Sequence, residues 1–305
     1  MKKLIPFLLL LVLILSACGN QTTEDEGSSK KEDSSAKMVT YQSENGPVKV
    51  PKHPQRVVVL SEFAGNVLNL GVNLVGVDQW AKSNPLFKDE LKGVEKVSAD
   101  NLEKIIELNP DLIIGLSKTK NIDQLKKIAP TVTFTYGKLG YLEKHREIGK
   151  LLNKEEKANQ WIKDFKKRAQ AAGKKIRSKI GEDATVSVIE GSGKQLYVFG
   201  DNWGRGTEIM YQEMKLNMPQ KVKDMTSDKG YHAISPEVLP KYAGDYIIFS
   251  KKPDADPSFQ KTDVYKNIPA VKNDHVFEID ARKYLNDPIT LEYQLDVIKK
   301  AFLDK

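Results

Sequence analysis

The sequence predicts an α/β protein made of two lobes that one long helix joins. Short apolar runs that we interpret as strands alternate with helical segments on both sides of the chain's middle, as expected for parallel sheets covered by helices. Between the two sides, residues 153–181 carry apolar side chains three or four positions apart in an otherwise polar segment. A spacing pattern that recurs in both halves is the third observation.

Four apolar runs in the first half are bounded by proline, glycine or polar residues. Short runs with turn signals on both sides are typical of buried strands in parallel sheets. The runs lie at 57–60, 74–77, 112–116 and 131–135, and helices are expected at 64–70, 100–108 and 122–128. Residues 38–152 are therefore expected to form an N-terminal α/β lobe.

The segment 153–181 is expected to be a connecting helix of about 27 residues and about 40 Å. Asn153 followed by Glu156 resembles a capping box, and Gly181 provides a C-terminal stop. Its narrow apolar stripe suits a surface helix that connects two bodies, although an ordinary surface helix of one domain is the alternative. No proline lies within it, so nothing in the sequence forces a kink.

The second half, residues 182–305, is expected to form a C-terminal α/β lobe. Gly191 to Gly193 is typical of a turn, and Ser235 followed by Pro236 is typical of a helix start. Strands are expected at 185–189, 195–199, 246–249 and 275–279, and helices at 207–216 and 290–302.

One pattern recurs in both halves. Glu103 precedes Asp111 by eight positions, and Glu237 precedes Asp245 by the same distance. In each case the glutamate lies near the start of a short helix, and the aspartate begins an apolar strand. A chance match between two helix–loop–strand units is one interpretation. The other is two related lobes, each with an outward carboxylate at the same place and with a cleft for a small molecule between them.

The N-terminus has the parts of a secretory signal peptide in residues 1–17: a basic start, an apolar run of about 12 residues and small residues before the cut. Leu-Ser-Ala-Cys fits a lipobox, which predicts acylation of Cys18, the single cysteine of the chain. Residues 18–37 are polar and are expected to be a lipidated, disordered tether. A plain signal peptide with an incidental cysteine is the alternative.

Composition excludes several classes of function. The net charge of +7 is carried mostly by lysine, with six arginines and no basic run interleaved with aromatics, so nucleic-acid binding is not expected. The four histidines are scattered without metal-site spacing, and we expect them to be surface or capping residues. Serine-hydrolase and phosphate-loop motifs are absent from the sequence, so we predict neither catalytic residues nor a protein-bound metal.

Aromatic residues concentrate beside a glycine-rich segment. Tyr197 and Phe199 share one face of their predicted strand, and Trp203 and Arg205 follow in a loop, separated by one glycine. An indole and a guanidinium exposed in this way offer a flat apolar surface and a fork of hydrogen-bond donors. The alternative is a turn in which Trp203 packs on the core and Arg205 pairs with a carboxylate.

These features resemble the substrate-binding lipoproteins of ABC importers for ferric siderophores, most closely the ferric-hydroxamate (FhuD-type) members. The resemblance runs from Cys18 to the C-terminus. It is carried by Pro-x-His-Pro-x-Arg-Val-Val-Val, Pro-Asp-Leu-Ile-Ile, Ile-Ala-Pro-Thr-Val, Tyr-Ala-Gly-Asp-Tyr-Ile and, most specifically, Tyr-Val-Phe-Gly-Asp-Asn-Trp-Gly-Arg-Gly.

The resemblance implies a class III (helical-backbone) periplasmic-binding-protein fold, with the ligand in a shallow cleft between the lobes. Trp203 and Arg205 match residues that contact the siderophore, and Tyr197 matches on the preceding strand. Tyr141 and Tyr284 match less closely. The family places no cofactor or metal ligand on the protein, because the ligand is an Fe(III)–siderophore complex.

The resemblance also implies partners and a location. Glu103 and Glu237 match the glutamates, one on each lobe, that meet arginines of the ABC permease. We expect a monomer held by its lipid anchor on the extracytoplasmic face of the cell membrane. Uptake of a catecholate, haem or cobalamin remains an alternative within the class, and a lipid-anchored cell-surface enzyme or a structural adhesin remains an alternative outside it.

The chemistry of the ligand favours a hydroxamate. A siderophore supplies all six oxygens that Fe(III) takes, so the protein needs no metal ligands of its own. A complex of three hydroxamates is neutral, or singly positive with a free amine, whereas a triscatecholate carries three negative charges and would favour several basic side chains. The chain has six arginines but many lysines, so the sequence ranks hydroxamate above catecholate without excluding the latter.

Overall fold

A computed structural model describes residues 37–304. The predicted signal peptide, the predicted lipidation site Cys18 and all but the last residue of the predicted tether lie outside the described residues. No helix in the described part combines the length and the apolar character that crossing a membrane requires.

The N-terminal part of the described chain is built on a five-stranded parallel sheet, preceded by a separate antiparallel hairpin. Alternate residues of the two central strands enter cores on opposite faces, as Val57 and Val58 do. The hairpin is β1 Met38–Ser43 and β2 Gly46–Pro51. The sheet strands, in spatial order, are β5 Glu95–Lys96, β4 Leu74–Val77, β3 Val57–Val59, β6 Leu112–Leu116 and β7 Thr131–Phe134.

Five helices belong to this lobe. They are α1 Ala64–Asn69, α2 Gln79–Ser83, α3 Leu102–Glu107, α4 Ile122–Ile128 and α5 Tyr141–Leu151, with a 3₁₀ turn at Pro85–Phe87. The helix predicted from Asp100 starts at Leu102, because Asn101 and not Asp100 caps it by accepting a hydrogen bond from the Lys104 N–H.

The long connecting helix is α6, Glu155–Ile180, 26 residues in length. Its predicted capping box is wrong. Asn153 adopts a left-handed backbone, with φ of 54°, and ends the turn that follows α5. Lys154 occupies the N-cap position instead, without a capping bond from its side chain to the described residues. Asparagine suits a left-handed helix end as well as it suits an N-cap, and here the first role prevails.

The C-terminal lobe has a five-stranded sheet in which one strand runs antiparallel to the other four. In spatial order the strands are β10 Tyr231–Ile234, β9 Gln195–Phe199, β8 Val186–Ser192, β11 Tyr246–Lys251 and β12 Val276–Asp280. The pairing of Ser192 with Gln195 makes β8 and β9 a tight hairpin whose turn is Gly193 and Lys194. Of the turn predicted at 191–193, only Gly193 lies in it, because β8 continues through Ser192.

The remaining helices cover this sheet and close the chain. They are α7 Gln220–Thr226, α8 Asp263–Lys266, α9 Pro269–Lys272 and α10 Pro288–Leu303. The predicted helix at 207–216 is a π-helical turn, Glu208–Glu213, and 3₁₀ turns occupy Pro236–Lys241 and Ser258–Lys261.

The recurring glutamate–aspartate pattern occupies equivalent places in the two lobes. Asp111 precedes β6 and accepts hydrogen bonds from the Gln55 and Arg56 backbone N–H groups, just before β3. Asp245 precedes β11 and accepts from the Thr185 backbone N–H, just before β8. In both lobes the aspartate therefore fastens the start of one parallel strand to the start of its neighbour.

Two elements connect the lobes. The first is α6, which packs on α5 in the N-terminal lobe and against the π-helical turn in the C-terminal lobe. The second is the segment leading into α10: Leu285 is buried in the first lobe's core, and α10 itself contacts α1 and α6. The lobes are consequently held by two rigid connections instead of a flexible loop.

Gly173 lets α6 approach the C-terminal lobe closely. A Cβ atom at this position would lie 2.4 Å from the Cα and from the carbonyl oxygen of Met214. Gly173→Ala is therefore expected to lower the free energy of unfolding by about 1–3 kcal/mol, although alanine favours a helix interior by about 1 kcal/mol. Urea unfolding followed by circular dichroism measures this loss. Lys174→Ala, at the next and exposed position, should stay within about 0.5 kcal/mol of the parent, and equal stability of the two variants would contradict the prediction.

His145 departs from the expectation that the histidines are surface or capping residues. It is 1% exposed on α5, its Nδ1 lies 3.1 Å from the Asn66 Oδ1, and its ring packs edge-on against Trp161 of α6. Its Nε2 is buried without a hydrogen-bond partner among the described residues. Burial, with a smaller contribution from Lys157, lowers the pKa of His145 to about 4.

Because of His145, the free energy of unfolding is expected to decrease as the pH falls. The pKa of His145 is near 6.5 in an unfolded chain, so the unfolded state binds a proton more readily than the folded state does. Neutral, buried His145 therefore stabilises the folded state fully above about pH 6.5, and this stabilisation is lost as the pH falls towards 4. The loss should reach about 3 kcal/mol. Urea midpoints measured from pH 7 to pH 4 should fall less steeply in His145→Gln than in the parent. Exposed His53→Gln serves as the control, and parallel curves for all three proteins would contradict the assignment.

Candidate ligand-binding cleft

A cleft of about 810 Å³ opens between the two lobes. The N-terminal lobe contributes Glu62, Tyr136 and residues at the start of α5. The C-terminal lobe contributes Trp203, the π-helical turn and the loop before β10. Its volume is in the range of roughly 300–1,000 Å³ that is usual for small-molecule sites.

The loop that carries Trp203 and Arg205 has an unusual backbone. Gly204, Arg205 and Gly206 all have positive φ, at 69°, 59° and 84°. A Cβ atom on Gly204 would lie 1.9 Å from the Tyr284 carbonyl oxygen, and that oxygen accepts the Arg205 N–H at 2.8 Å. The left-handed arginine is the costly member of the three, because a non-glycine residue in this region is strained by about 1–3 kcal/mol. The surrounding contacts hold the Arg205 side chain in one place.

Arg205 is paired and still has donors to offer. Its Nε and Nη2 donate to the two oxygens of Glu190 at 2.7 and 2.9 Å, and its Nη1 donates to the Trp203 carbonyl at 2.8 Å. The rings of Phe199 and Tyr284 pack against the guanidinium, 4.2 and 5.2 Å from its central carbon. A guanidinium has five N–H donors, so two are left without a partner among residues 37–304.

The ion pair fixes the charge of Glu190. Burial alone would raise the pKa of this carboxyl, but the Arg205 guanidinium and the Ser250 hydroxyl hold it below its ordinary value. The side chains of Arg205 and Glu190 are only 13% and 17% exposed. The alternative that Arg205 pairs with a carboxylate is therefore correct. Arg205 is not itself among the residues that line the cleft, but it lies two positions after Trp203, which is.

Trp203 is half-buried on the wall of the cleft. Its indole N–H donates to the Lys229 carbonyl at 2.7 Å, and its ring meets Tyr231 edge-on at 4.7 Å. Tyr231 in turn lies 6.2 Å from the ring of Tyr197. Trp203 is thus the cleft-facing member of an aromatic cluster in which Tyr197 is one step further back.

The two tyrosines that match the family less closely have different environments. Tyr284 is half-buried against Arg205, as described above. Tyr141 is 7% exposed at the floor of the cleft, and its hydroxyl donates to Glu213 at 3.2 Å. Burial, with nearby Glu213, raises the pKa of Tyr141 well above its usual range. A ligand could reach little more than the edge of the Tyr141 ring.

Sequence reasoning missed Tyr136. It follows β7 on the N-terminal lobe, lines the cleft and is 61% exposed. Tyr136 lines the cleft from the N-terminal lobe and Trp203 lines it from the C-terminal lobe, so both lobes contribute an aromatic side chain. An aromatic residue between Thr135 and Gly137, directly after a predicted parallel strand, is the signal that could have identified it.

Buried charges line the floor of the cleft, and these too were missed. The Lys144 ammonium donates to Glu62 at 2.7 Å and to the Asn286 side-chain oxygen at 2.9 Å. Asn286 in turn donates to Glu208 at 3.0 Å, and Glu208 accepts the Gly204 N–H at 2.9 Å. This chain of hydrogen bonds runs from the N-terminal lobe to the loop that positions Trp203 and Arg205.

The cleft does not have the side chains of a metal site. Within residues 37–304, no three histidine, cysteine, aspartate or glutamate side chains converge as metal coordination requires. An iron-containing ligand bound here would have to bring its own oxygens.

Glu103 and Glu237 lie outside the cleft, one on each lobe. Each is the second residue of a helical turn and exposed: Glu103 in α3 and Glu237 in the 3₁₀ turn. The Ser235 hydroxyl holds the pKa of Glu237 below its usual value, so this carboxylate is ionised at neutral pH.

Two α/β lobes, a continuous connecting helix and an interlobe cleft define a two-lobed solute-binding protein. The chain belongs to the periplasmic binding protein family, whose family model matches residues 57–283. This is a family of binding proteins and not of enzymes.

Two curated relatives are iron(3+)-hydroxamate-binding proteins of Bacillus subtilis. FhuD is 40% identical over 274 residues, which cover 87% of each chain. YxeB is 37% identical over 275 residues, covering 86% of this chain and 84% of its own. The B. subtilis protein YfiY, 32% identical over 273 residues that cover 81% of this chain and 82% of its own, is named as a probable siderophore-binding lipoprotein.

Solved structures show the same fold. The FhuD protein from Staphylococcus pseudintermedius is 38% identical, with a TM-score of 0.80, over 88% of this chain and 99% of that one. FhuD2 from Staphylococcus aureus with bound ferrioxamine B is 38% identical, with a TM-score of 0.78, over 82% and 99% of the two chains. The predicted fold class and the predicted family are confirmed. In the S. aureus complex the iron complex is a bound ligand and not a cofactor.

Proposed function

We propose that this chain captures Fe(III)–hydroxamate siderophores of the ferrichrome and ferrioxamine type and delivers them to an ABC permease. The observation that carries the proposal is the site around Trp203: an aromatic wall of an open cleft beside an arginine with two unused donors. The relatives named as iron(3+)-hydroxamate-binding proteins support the same ligand class.

Capture uses the outer surface of the complex. A trihydroxamate wraps Fe(III) in six oxygens and presents an exterior that is partly apolar. Trp203 and Tyr136 offer flat apolar surface from opposite lobes, and Arg205 offers its remaining N–H groups to hydroxamate oxygens. Tyr284 and the cluster around Tyr197 support these groups from behind.

Delivery uses the outer face of each lobe. Glu103 and Glu237, exposed at equivalent places, are proposed to meet basic residues of the permease, so one carboxylate on each lobe sets the orientation of docking. Cys18 is proposed to carry the lipid that keeps the chain on the extracytoplasmic face of the membrane, as the names of lipoprotein relatives suggest.

Tryptophan fluorescence tests the ligand class. Titration of the purified chain with ferrioxamine B is expected to quench the emission at sub-micromolar concentration, because Trp203 would lie against the iron complex. Trp203→Phe should remove most of this quenching, while Trp80→Phe, at a 66% exposed residue outside the cleft lining, should preserve it. Tighter binding of a ferric catecholate, haem or cobalamin than of ferrioxamine B would overturn the hydroxamate assignment.

A further inference from the structure

The buried charges of the cleft floor bear on which hydroxamates fit, an inference that rests on the proposed function. Glu208 is 1% exposed. Its carboxylate accepts from the Gly204 N–H at 2.9 Å and from the Asn286 amide at 3.0 Å, and it shares the Thr207 hydroxyl, 3.1 Å away, with the Gly204 carbonyl. All three donors are neutral, so none of these contacts compensates the charge of Glu208.

The other charged side chains that line the cleft floor are matched to each other, and the arginine beside the cleft is matched as well. The Lys144 ammonium pairs with Glu62, and the Arg205 guanidinium pairs with Glu190. Among the described residues, the floor is therefore left with one carboxylate in excess. Because it is shielded from water, its charge is screened much less than that of an exposed group.

The rim does not cancel this excess. The residues lining the cleft include four carboxylates and three ammonium groups. Those at the rim, Asp201, Asp228, Lys223 and Lys229, are exposed and balance one another. The net charge of the cleft lining is therefore set by its floor.

The negative field extends across the cleft. Burial raises the pKa of the Tyr136 hydroxyl, the carboxylates of Glu62 and Glu208 raise it further, and Arg205 acts in the opposite sense. A group bound between the lobes at the level of Tyr136 is thus within reach of both carboxylates.

We propose that the cleft selects ferric hydroxamates that carry a free ammonium group, with the excess carboxylate of Glu208 as the counter-charge and the Glu62–Lys144 pair setting the charge balance around it. Three hydroxamates neutralise Fe(III), so a pendant ammonium gives the complex a charge of +1. Such a complex balances the excess carboxylate, a neutral one leaves it unpaired, and an anionic one is repelled.

A matched pair of ligands tests this selectivity. Ferrioxamine B has a free ammonium, and its N-acetyl derivative has the same iron chelate without the charge. In low salt the purified chain is expected to bind ferrioxamine B about fivefold more tightly, as one unit charge at about 7 Å gives in a medium of intermediate dielectric constant. Equal affinities would overturn the proposal while leaving the proposed function intact. Absence of binding to either ligand would overturn both.

Two substitutions should shift the affinity ratio in opposite directions. Glu62→Gln removes a carboxylate and is expected to lower the preference for ferrioxamine B towards unity, whereas Lys144→Gln removes the ammonium and is expected to raise it. Glu143→Gln, at an exposed carboxylate on the same helix as Lys144, should leave the ratio unchanged. The affinity ratio of the two ligands can be measured on the unmodified chain alone, so the proposal stays testable if either cleft variant folds poorly. If the affinity ratio in both Glu62→Gln and Lys144→Gln equals that of the parent chain, the assignment of the counter-charge is contradicted.

Discussion

Replacing both Glu103 and Glu237 by alanine is expected to abolish uptake of the iron complex while the purified chain still binds it. Both carboxylates are exposed and lie outside the cleft, so their removal should leave the ligand site unchanged. Loss of one partner of a close charge pair at an interface costs about 2–5 kcal/mol, so loss of two should weaken docking by about a thousandfold or more. Uptake of radioactive iron by cells and ligand affinity in vitro measure the two properties separately.

A matched double variant makes this result specific. Glu156→Ala with Glu182→Ala also removes two exposed glutamates, at the two ends of the connecting helix, and should import at the parental rate. Each single variant, Glu103→Ala or Glu237→Ala, should give an intermediate rate, because one lobe can still dock. Normal import by the Glu103/Glu237 double variant would remove these residues from the docking surface.

Arg205→Ala is expected to weaken binding of ferrioxamine B by about 1–3 kcal/mol, the usual range for lost hydrogen bonds to a charged donor. The two guanidinium N–H groups that have no partner among residues 37–304 would be lost, together with the packing on Phe199 and Tyr284. Thermal stability should also fall, because Glu190 would remain partly buried without its partner. Isothermal titration and circular dichroism distinguish these effects, provided that affinity is measured where the variant is folded.

Arg168→Ala is the control for this substitution. Arg168 also forms a two-point ion pair with a glutamate, Glu292 of α10, but lies on the connecting helix away from the cleft lining. Its removal should leave the affinity unchanged. Unchanged affinity in Arg205→Ala as well would show that the guanidinium holds the loop but does not contact the ligand.

The architecture could be predicted because its signals are local. The apolar period of α6 and the alternation of strands and helices are both contained within short windows of sequence. The direction of a strand cannot be predicted from such a window, since a run such as β9 has the same composition in either orientation. Asn153 was misread because one residue type serves both helix ends, and only the backbone conformation distinguishes the two roles.

The candidate site was predictable only in part, for a related reason. Trp203 and Arg205 were found because they are neighbours in the sequence. The groups that surround Arg205, such as Glu190 and Tyr284, come from distant segments that meet only in the folded chain. Lys144 and His145 could have been identified as buried, because they fall three and four positions after Tyr141, on the apolar face of α5.

The double connection between the lobes has a consequence for traffic at the membrane. With α6 continuous and α10 packed against both halves, the distance between Glu103 and Glu237 should hardly change when the cleft fills. A permease that recognises only the distance between these two glutamates would bind the ligand-free chain as readily as the ligand-bound one. Unloaded copies are then expected to compete for the same docking position, so import should depend on the loaded fraction of the binding protein as well as on its abundance.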